Sequence, residues 1–109
     1  NKPLFDKNGQ IDESCSFEQL ATYIYFTETQ TNIDPKKILG NFIGKHCKTD
    51  YYLIFRGKGG NVLNKSFLKN LKDNKNSKVI YADRCLLDEE MLNKHKIIFK
   101  QIPYEIKVY

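Results

Sequence analysis

Tyr51-Tyr52-Leu53-Ile54-Phe55 runs directly into Arg56-Gly57-Lys58-Gly59-Gly60-Asn61, and this junction decides the fold class. A continuous apolar run of strand length that stops at a glycine-rich turn reads as a buried strand, because so many glycines cannot form a helix interior. Two further runs share that character, Lys78-Val79-Ile80-Tyr81-Ala82 and Ile97-Ile98-Phe99. Between the first two lie Phe67, Leu68 and Leu71 behind Asn64, which has the side chain of a helix cap, and Asp73 to Ser77 forms a turn. Between the second and third lie Met91 and Leu92 behind the cap Asp88, with Glu89 and Glu90 well placed in a first helical turn and His95 at its end. Strand, helix, strand, helix, strand favours a parallel sheet with right-handed crossovers. The expectation is an α/β domain with a small, mostly parallel sheet of three or four strands and flanking helices. Tyr104 to Val108 alternates after the break at Pro103 and reads as a half-exposed edge strand, antiparallel to the rest, or as a strand continuing into another region.

Upstream, residues 1–13 read as a polar lead-in with a turn at Lys7-Asn8-Gly9, and residues 14–109 as a single domain. Ser16 and Gln19 have the spacing of a capping box, and Phe17, Leu20, Ala21, Ile24 and Glu28 follow at helical spacing. The β-prone run Tyr23 to Thr27 works against that helix. A second helix is predicted from the cap Asp34 and Pro35 through Ile38, Leu39, Phe42 and Ile43, ending near Gly44 or Lys45-His46. Helices from this region would cover one face of the sheet. A three-layer α/β domain follows, or a two-layer α+β domain if both crossovers pack on one side.

The 109 residues are 40% hydrophobic, with seven Phe and seven Tyr, a composition that argues against global disorder. No run approaches the roughly 20 apolar residues of a membrane span. The opening Asn1-Lys2-Pro3-Leu4-Phe5 is not a signal peptide, and an N-terminal Asn leads to the expectation of a piece of a longer protein. Cys15, Cys47 and Cys85 are odd in number and form no CxxC pair, so buried, reduced thiols and a cytoplasmic location are expected, with no membrane partner. Residues 51–109 carry twelve Lys and Arg against six acidic residues, whereas residues 1–50 carry six Lys against seven acidic residues. The net positive charge therefore sits in the second half and favours an anionic partner.

Three segments point further: Tyr23-Ile24-Tyr25-Phe26-Thr27-Glu28-Thr29, Tyr81-Ala82-Asp83-Arg84-Cys85-Leu86-Leu87, and Ile98-Phe99-Lys100-Gln101-Ile102-Pro103-Tyr104-Glu105-Ile106. In order and spacing they resemble the C-terminal region of type III restriction–modification DNA adenine-N6 methyltransferases, the modification subunits, over most of the chain from about residue 17 onward. The resemblance implies an accessory domain of such a subunit. In that family the complete subunit uses S-adenosylmethionine and dimerises to support a restriction subunit. The partners implied are DNA, a second modification subunit or the restriction subunit. The resemblance places the catalytic D-P-P-Y motif and the F-x-G-x-G cofactor motif upstream, so no catalytic residue and no cofactor is assigned to this chain.

The residues themselves suggest contacts with a nucleic-acid backbone. Arg56 and Lys58 flank glycines whose N–H groups can face a phosphate, although the loop is neither a P-loop nor a dinucleotide fingerprint. Lys65, Lys69 and Lys72 recur at i, i+4 and i+7, which on an α-helix forms one positive face. The bland alternatives are a structural turn and a solvated lysine face. Asp83-Arg84 follows a strand at the end where α/β sheets bind ligands, but Asp83 and Asp88 lack a third metal ligand at an interpretable spacing. His46-Cys47 and His95 make no nucleophile–base pattern. Tyr104 and Tyr109 are the aromatics expected to be exposed for base stacking. Two alternatives to DNA-backbone binding stay open, a pure dimerisation or restriction-subunit interface and a small nuclease or nucleotide-binding domain.

Overall fold

The computed structural model describes Phe5, Gly9, Gln10 and residues 15–104. The expected capping box opens the first helix, α1 (Phe17–Thr29): the Gln19 N–H donates to Ser16 Oγ at 3.1 Å and the Ser16 N–H donates to Gln19 Oε1 at 2.9 Å. Leu20, Ala21, Ile24 and Tyr25 form its buried stripe. Burying that stripe outweighs the β propensity of Tyr23 to Thr27.

The second predicted helix is overturned. Asp34 does cap a turn through the Lys36 N–H at 3.0 Å, with Pro35 in first position, but the 3₁₀ turn ends at Lys37. Leu39 and Phe42 then exchange backbone hydrogen bonds across Gly40, which sits at φ +59°, and the chain leaves in β1 (Phe42–His46). Ile38, Leu39, Phe42 and Ile43 fit a helical period, but the strand puts Ile43 on one face of the sheet and Phe42 on the other. Gly44 is where α1 meets β1: a Cβ there would lie 2.6 Å from the Tyr25 ring, whose hydroxyl donates to the Lys45 carbonyl at 3.0 Å. His46 therefore ends a strand, Cys47 is an exposed turn residue, and Cys15 and Cys85 are only partly buried, contrary to the expectation of buried cysteines; none of the three is in a disulfide.

The three apolar runs form β2 (Thr49–Leu53), β4 (Ser77–Ala82) and β6 (Ile97–Gln101). The sheet order is β1-β2-β4-β6, with β1 antiparallel to β2 and the other neighbours parallel. The antiparallel edge among the described residues is β1, a segment whose spacing predicts a helix. Tyr104 lies past β6, and residues 105–109 fall outside the described residues, as does most of the 1–13 lead-in. The short β3 (Val62–Leu63) and β5 (Arg84–Cys85) pair in parallel on the two crossovers. A 3₁₀ turn, Lys65–Asn70, follows β3, and α2 (Glu89–Lys94) follows β5. Asn64 and Asp88 cap these turns, accepting from the Phe67 and Met91 N–H groups.

The sheet alternation divides the core in two. Tyr51, Leu53, Val79 and Tyr81 face α1, whereas Tyr52, Ile80, Ala82 and Ile97 face Phe67, Leu87, Met91 and Leu92 of the crossovers. Both crossovers share one face and α1 covers the other, giving three layers. No helix among the described residues is long and apolar enough to cross a membrane.

Candidate nucleic-acid interface

The sheet has two chemically different ends. At the carboxyl end, Asn61 is buried and organises the glycine loop. Its Oδ1 accepts from the Arg56 N–H at 2.8 Å, and its Nδ2 donates to the Gly57 carbonyl and to Asp83 Oδ2, each at 2.8 Å. The Asn61 N–H also donates to Asp83 Oδ2, and the Asn61 carbonyl accepts from the Asp83 and Arg84 N–H groups. Tyr104 closes the knot, donating its hydroxyl proton to Asp83 Oδ1 at 2.5 Å while accepting from the Gly59 N–H at 3.2 Å. Burial, and then that bond to a carboxylate, raise the Tyr104 pKa above the ordinary tyrosine value.

The loop's N–H groups on Arg56 and Gly59 are therefore spent on Asn61 and Tyr104. Tyr104 is half-buried with its hydroxyl and ring engaged, the Lys58 ammonium lying 5.7 Å from the ring centre, so it is not the exposed stacking platform expected; Tyr109 lies outside the described residues. Asp83 meets two hydrogen-bonding side chains and a backbone donor, and Asp88 caps α2. The described residues contain no cluster of three potential metal ligands.

The letters F-x-G-x-G do occur in the chain, at Phe55-Arg56-Gly57-Lys58-Gly59, which corrects the expectation that the cofactor motif lies only upstream. This loop nevertheless does not fit a bound S-adenosylmethionine. Phe55 is in the core, the Asn61 side chain ties the loop inward, Asp83 is committed, and the chain continues into a two-residue strand and a 3₁₀ turn. No α-helix N-terminus follows the loop to face an anionic group.

A second node lies beside the first. Glu28 Oε2, at the end of α1, accepts from the Tyr81 hydroxyl on β4 and from Lys100 Nζ on β6, the latter at 2.6 Å. Burial first, and the bond to Glu28 second, push the Tyr81 pKa well above the ordinary tyrosine value.

At the amino end, Asp50 of β2 and Lys78 of β4 form a buried ion pair at 3.1 Å. Lys78 Nζ also donates to Asn74 Oδ1 at 2.6 Å and to the Asn76 carbonyl at 2.9 Å, while Asn74 and Asn76 donate their side-chain amides to Asp50. Burial alone would raise the Asp50 pKa, but the bonds from Asn74, Lys78 and Asn76 and the Lys78 charge outweigh it and hold the carboxyl below its ordinary value. This pair escapes a reading of the sequence because its members lie 28 residues apart and nothing local marks either as buried. Above the clamp a cavity of about 420 Å³ opens between the 72–76 loop and the end of α2, and its lining includes Lys72, Lys75, Lys94 and Lys96.

The expected phosphate-contacting residues do not form one surface. Arg56 and Lys58 sit on the carboxyl-end loop, and Lys72 lines the amino-end cavity. Lys65 and Lys69 are exposed between them, on the crossover that connects the two ends. Because residues 65–70 wind as a 3₁₀ turn, an i, i+4 pair lies about 120° apart and the expected positive stripe is lost. Lys72 comes after the turn has ended and holds its ammonium 4.5 Å from the centre of the Phe42 ring. No family model, curated protein or solved structure matches the chain.

Proposed function

We propose that the chain is a non-catalytic accessory domain of a DNA adenine-N6 methyltransferase modification subunit, and that it contributes contacts to the DNA backbone. The observation that carries this reading is the convergence of the three resembling segments. Residues 23–29 supply Glu28, residues 81–87 follow Tyr81 with Asp83, and residues 98–106 supply Lys100 and Tyr104. Glu28 bonds Tyr81 and Lys100, and Asp83 bonds Tyr104, so segments far apart in the sequence meet in two neighbouring hydrogen-bonded nodes. On this reading methyl transfer and S-adenosylmethionine belong to another part of the parent subunit.

Fluorescence anisotropy with short duplexes of unrelated sequence tests the DNA contact. Binding should be weak and largely independent of sequence, with log affinity falling linearly as log salt rises. Calorimetry with S-adenosylmethionine should register no specific binding, and a micromolar interaction would overturn the non-catalytic assignment.

A second reading, an interface with another modification subunit or with a restriction subunit, draws on the apolar side chains left in solvent. Leu39 is 73% exposed, Leu86 59%, Ile98 52% and Phe26 46%. Among the described residues, Ile98 lies on a strand that pairs with β4 alone. Sedimentation showing self-association in a chain that binds no DNA would favour this second reading.

A further inference from the structure

We infer that the amino end of the parallel sheet is a phosphate-contacting surface for duplex DNA, built from Lys48, Lys72, Lys75, Lys94 and Lys96. The inference rests on the DNA-backbone reading and moves its main site to the opposite end of the sheet from the glycine loop. Four of these lysines line the amino-end cavity, against Asp73 as its exposed carboxylate; the fifth lining lysine, Lys78, is neutralised by Asp50. Lys48 joins them from the β1–β2 turn, because its carbonyl accepts the Ser77 N–H at the start of β4.

The spacing follows from the sheet. Lys48 immediately precedes β2, Lys75 lies just before β4, and Lys96 immediately precedes β6, and these three strands are parallel neighbours. Adjacent strands are about 4.8 Å apart, so the three positions form a row about 10 Å long. One DNA strand carries a phosphate for about every 3.4 Å of helix axis, so such a row faces about three of them. Lys72 and Lys94 widen the row on the crossover face.

The row is also held in place before any ligand arrives. The Lys78 N–H donates to the Lys96 carbonyl at 2.8 Å, and Lys96 Nζ donates to the Lys75 carbonyl at 3.2 Å. Beneath them the Asp50–Lys78 pair binds Asn74 and Asn76, fixing the loop that carries Lys72 and Lys75. A fixed backbone lowers the ordering cost of gathering several phosphates. The carboxyl end differs in its charge, since Lys100 is paired with Glu28 and Arg56 is the one cation among the residues lining the cavity there.

The test compares two variants of the chain on a labelled duplex of arbitrary sequence across a chloride series. Lys75→Gln/Lys94→Gln/Lys96→Gln should weaken binding at low salt by about tenfold or more and reduce the slope of log affinity on log salt by about two to three. Arg56→Gln/Lys58→Gln/Lys65→Gln/Lys69→Gln should weaken it by less than about threefold, since those charges are scattered over the loop and crossover. A wild-type chain that binds no duplex sinks the DNA reading itself. Loss of binding in the second variant with retention in the first sinks only the amino-end site. Inorganic phosphate that displaces the duplex beyond the effect of chloride at equal ionic strength would make this a free-phosphate site and overturn the assignment to DNA. Backbone amide shifts of the wild-type chain titrated with duplex give a readout that does not depend on the variants folding. They should cluster at residues 72–76 and 94–96, and clustering at residues 56–61 instead would overturn the proposal.

Discussion

The two ends of the sheet open onto cavities of equal size, each about 420 Å³, yet the chain has equipped them in opposite ways. At the carboxyl end the lining residues carry a single cation, Arg56, and the polar groups of Asn61, Asp83, Tyr104 and the glycine loop are turned on one another. At the amino end one buried ion pair satisfies the loop from below, and four exposed lysines, Lys72, Lys75, Lys94 and Lys96, line the cavity above it. Open α/β sheets usually bind ligands at the carboxyl ends of their strands. Here that end is spent on holding the last segment of the described chain against the glycine loop. Topology thus marks a customary site, while the polar groups left without internal partners show whether it remains open.

The largest test of this contrast removes one member of the amino-end clamp. Asp50→Asn leaves Lys78 buried without a counter-charge and should cost about 3–5 kcal/mol in denaturant unfolding. Combining it with Lys78→Met should cost less than the sum of the two single changes, because the second removes the orphaned charge. Acid should act on the same clamp. The Asp50 pKa is lowered in the fold, so its contribution is complete above the ordinary aspartate value of 3.8 and is lost as pH falls through the lower, folded value. Hydrogen exchange in acid should therefore rise first at residues 72–76, and uniform exchange across both ends would break the distinction.

Next in size is Asn61→Ala. It leaves the Arg56 N–H and the Gly57 carbonyl without their side-chain partner and should cost about 1–3 kcal/mol, with faster exchange at residues 56–60. The amino-end cavity should be untouched, and a matching loss of protection at residues 72–76 would show that the ends are coupled.

Tyr104→Phe is smaller, about 1 kcal/mol, since it removes one hydroxyl bonded to Asp83 and Gly59. Alkali should act on the buried tyrosines on both faces of the sheet, this end included. Tyr81 and Tyr104 both have raised pKa values in the fold, so their contribution is present below the ordinary tyrosine value of 10.0 and is lost as pH rises beyond it. An alkaline melt monitored at the tyrosine absorbance should be sharpened toward lower pH by Asn61→Ala and left in place by Lys75→Gln. Smallest of all, Lys58→Gln should change stability by about 0.5 kcal/mol or less, since it removes only an exposed cation near a ring.

Much of this molecule is local in origin and was readable in advance. Ser16, Asp34, Asn64 and Asp88 all accept a backbone N–H as helix or turn caps, because capping depends on neighbours two or three residues away. The runs at 51–55, 78–82 and 97–99 became the parallel strands for a similar reason, since a short apolar run between glycine or polar turns has few other places to go. The failures arise where two local readings are equally good. Ile38, Leu39, Phe42 and Ile43 satisfy a helical period, but Gly40 and Gly44 interrupt it, and pairing with β2 decides for a strand. Lys65 and Lys69 would share a stripe with Lys72 on an α-helix, and the shorter 3₁₀ turn separates them.

The α/β class, the caps and the concentration of positive charge in the second half are set by the amino-acid sequence, because each depends on composition or on residues close along the chain. Tertiary structure alone decided which of those charges remain available. Asp50 finds Lys78, Asn61 finds Asp83, and Glu28 finds Tyr81 and Lys100 only when β2, β4 and β6 lie side by side beneath α1. Lys48, Lys75 and Lys96 come into line for the same reason: strands distant in sequence stand about 4.8 Å apart once paired, and side-chain charge acts through distance in space.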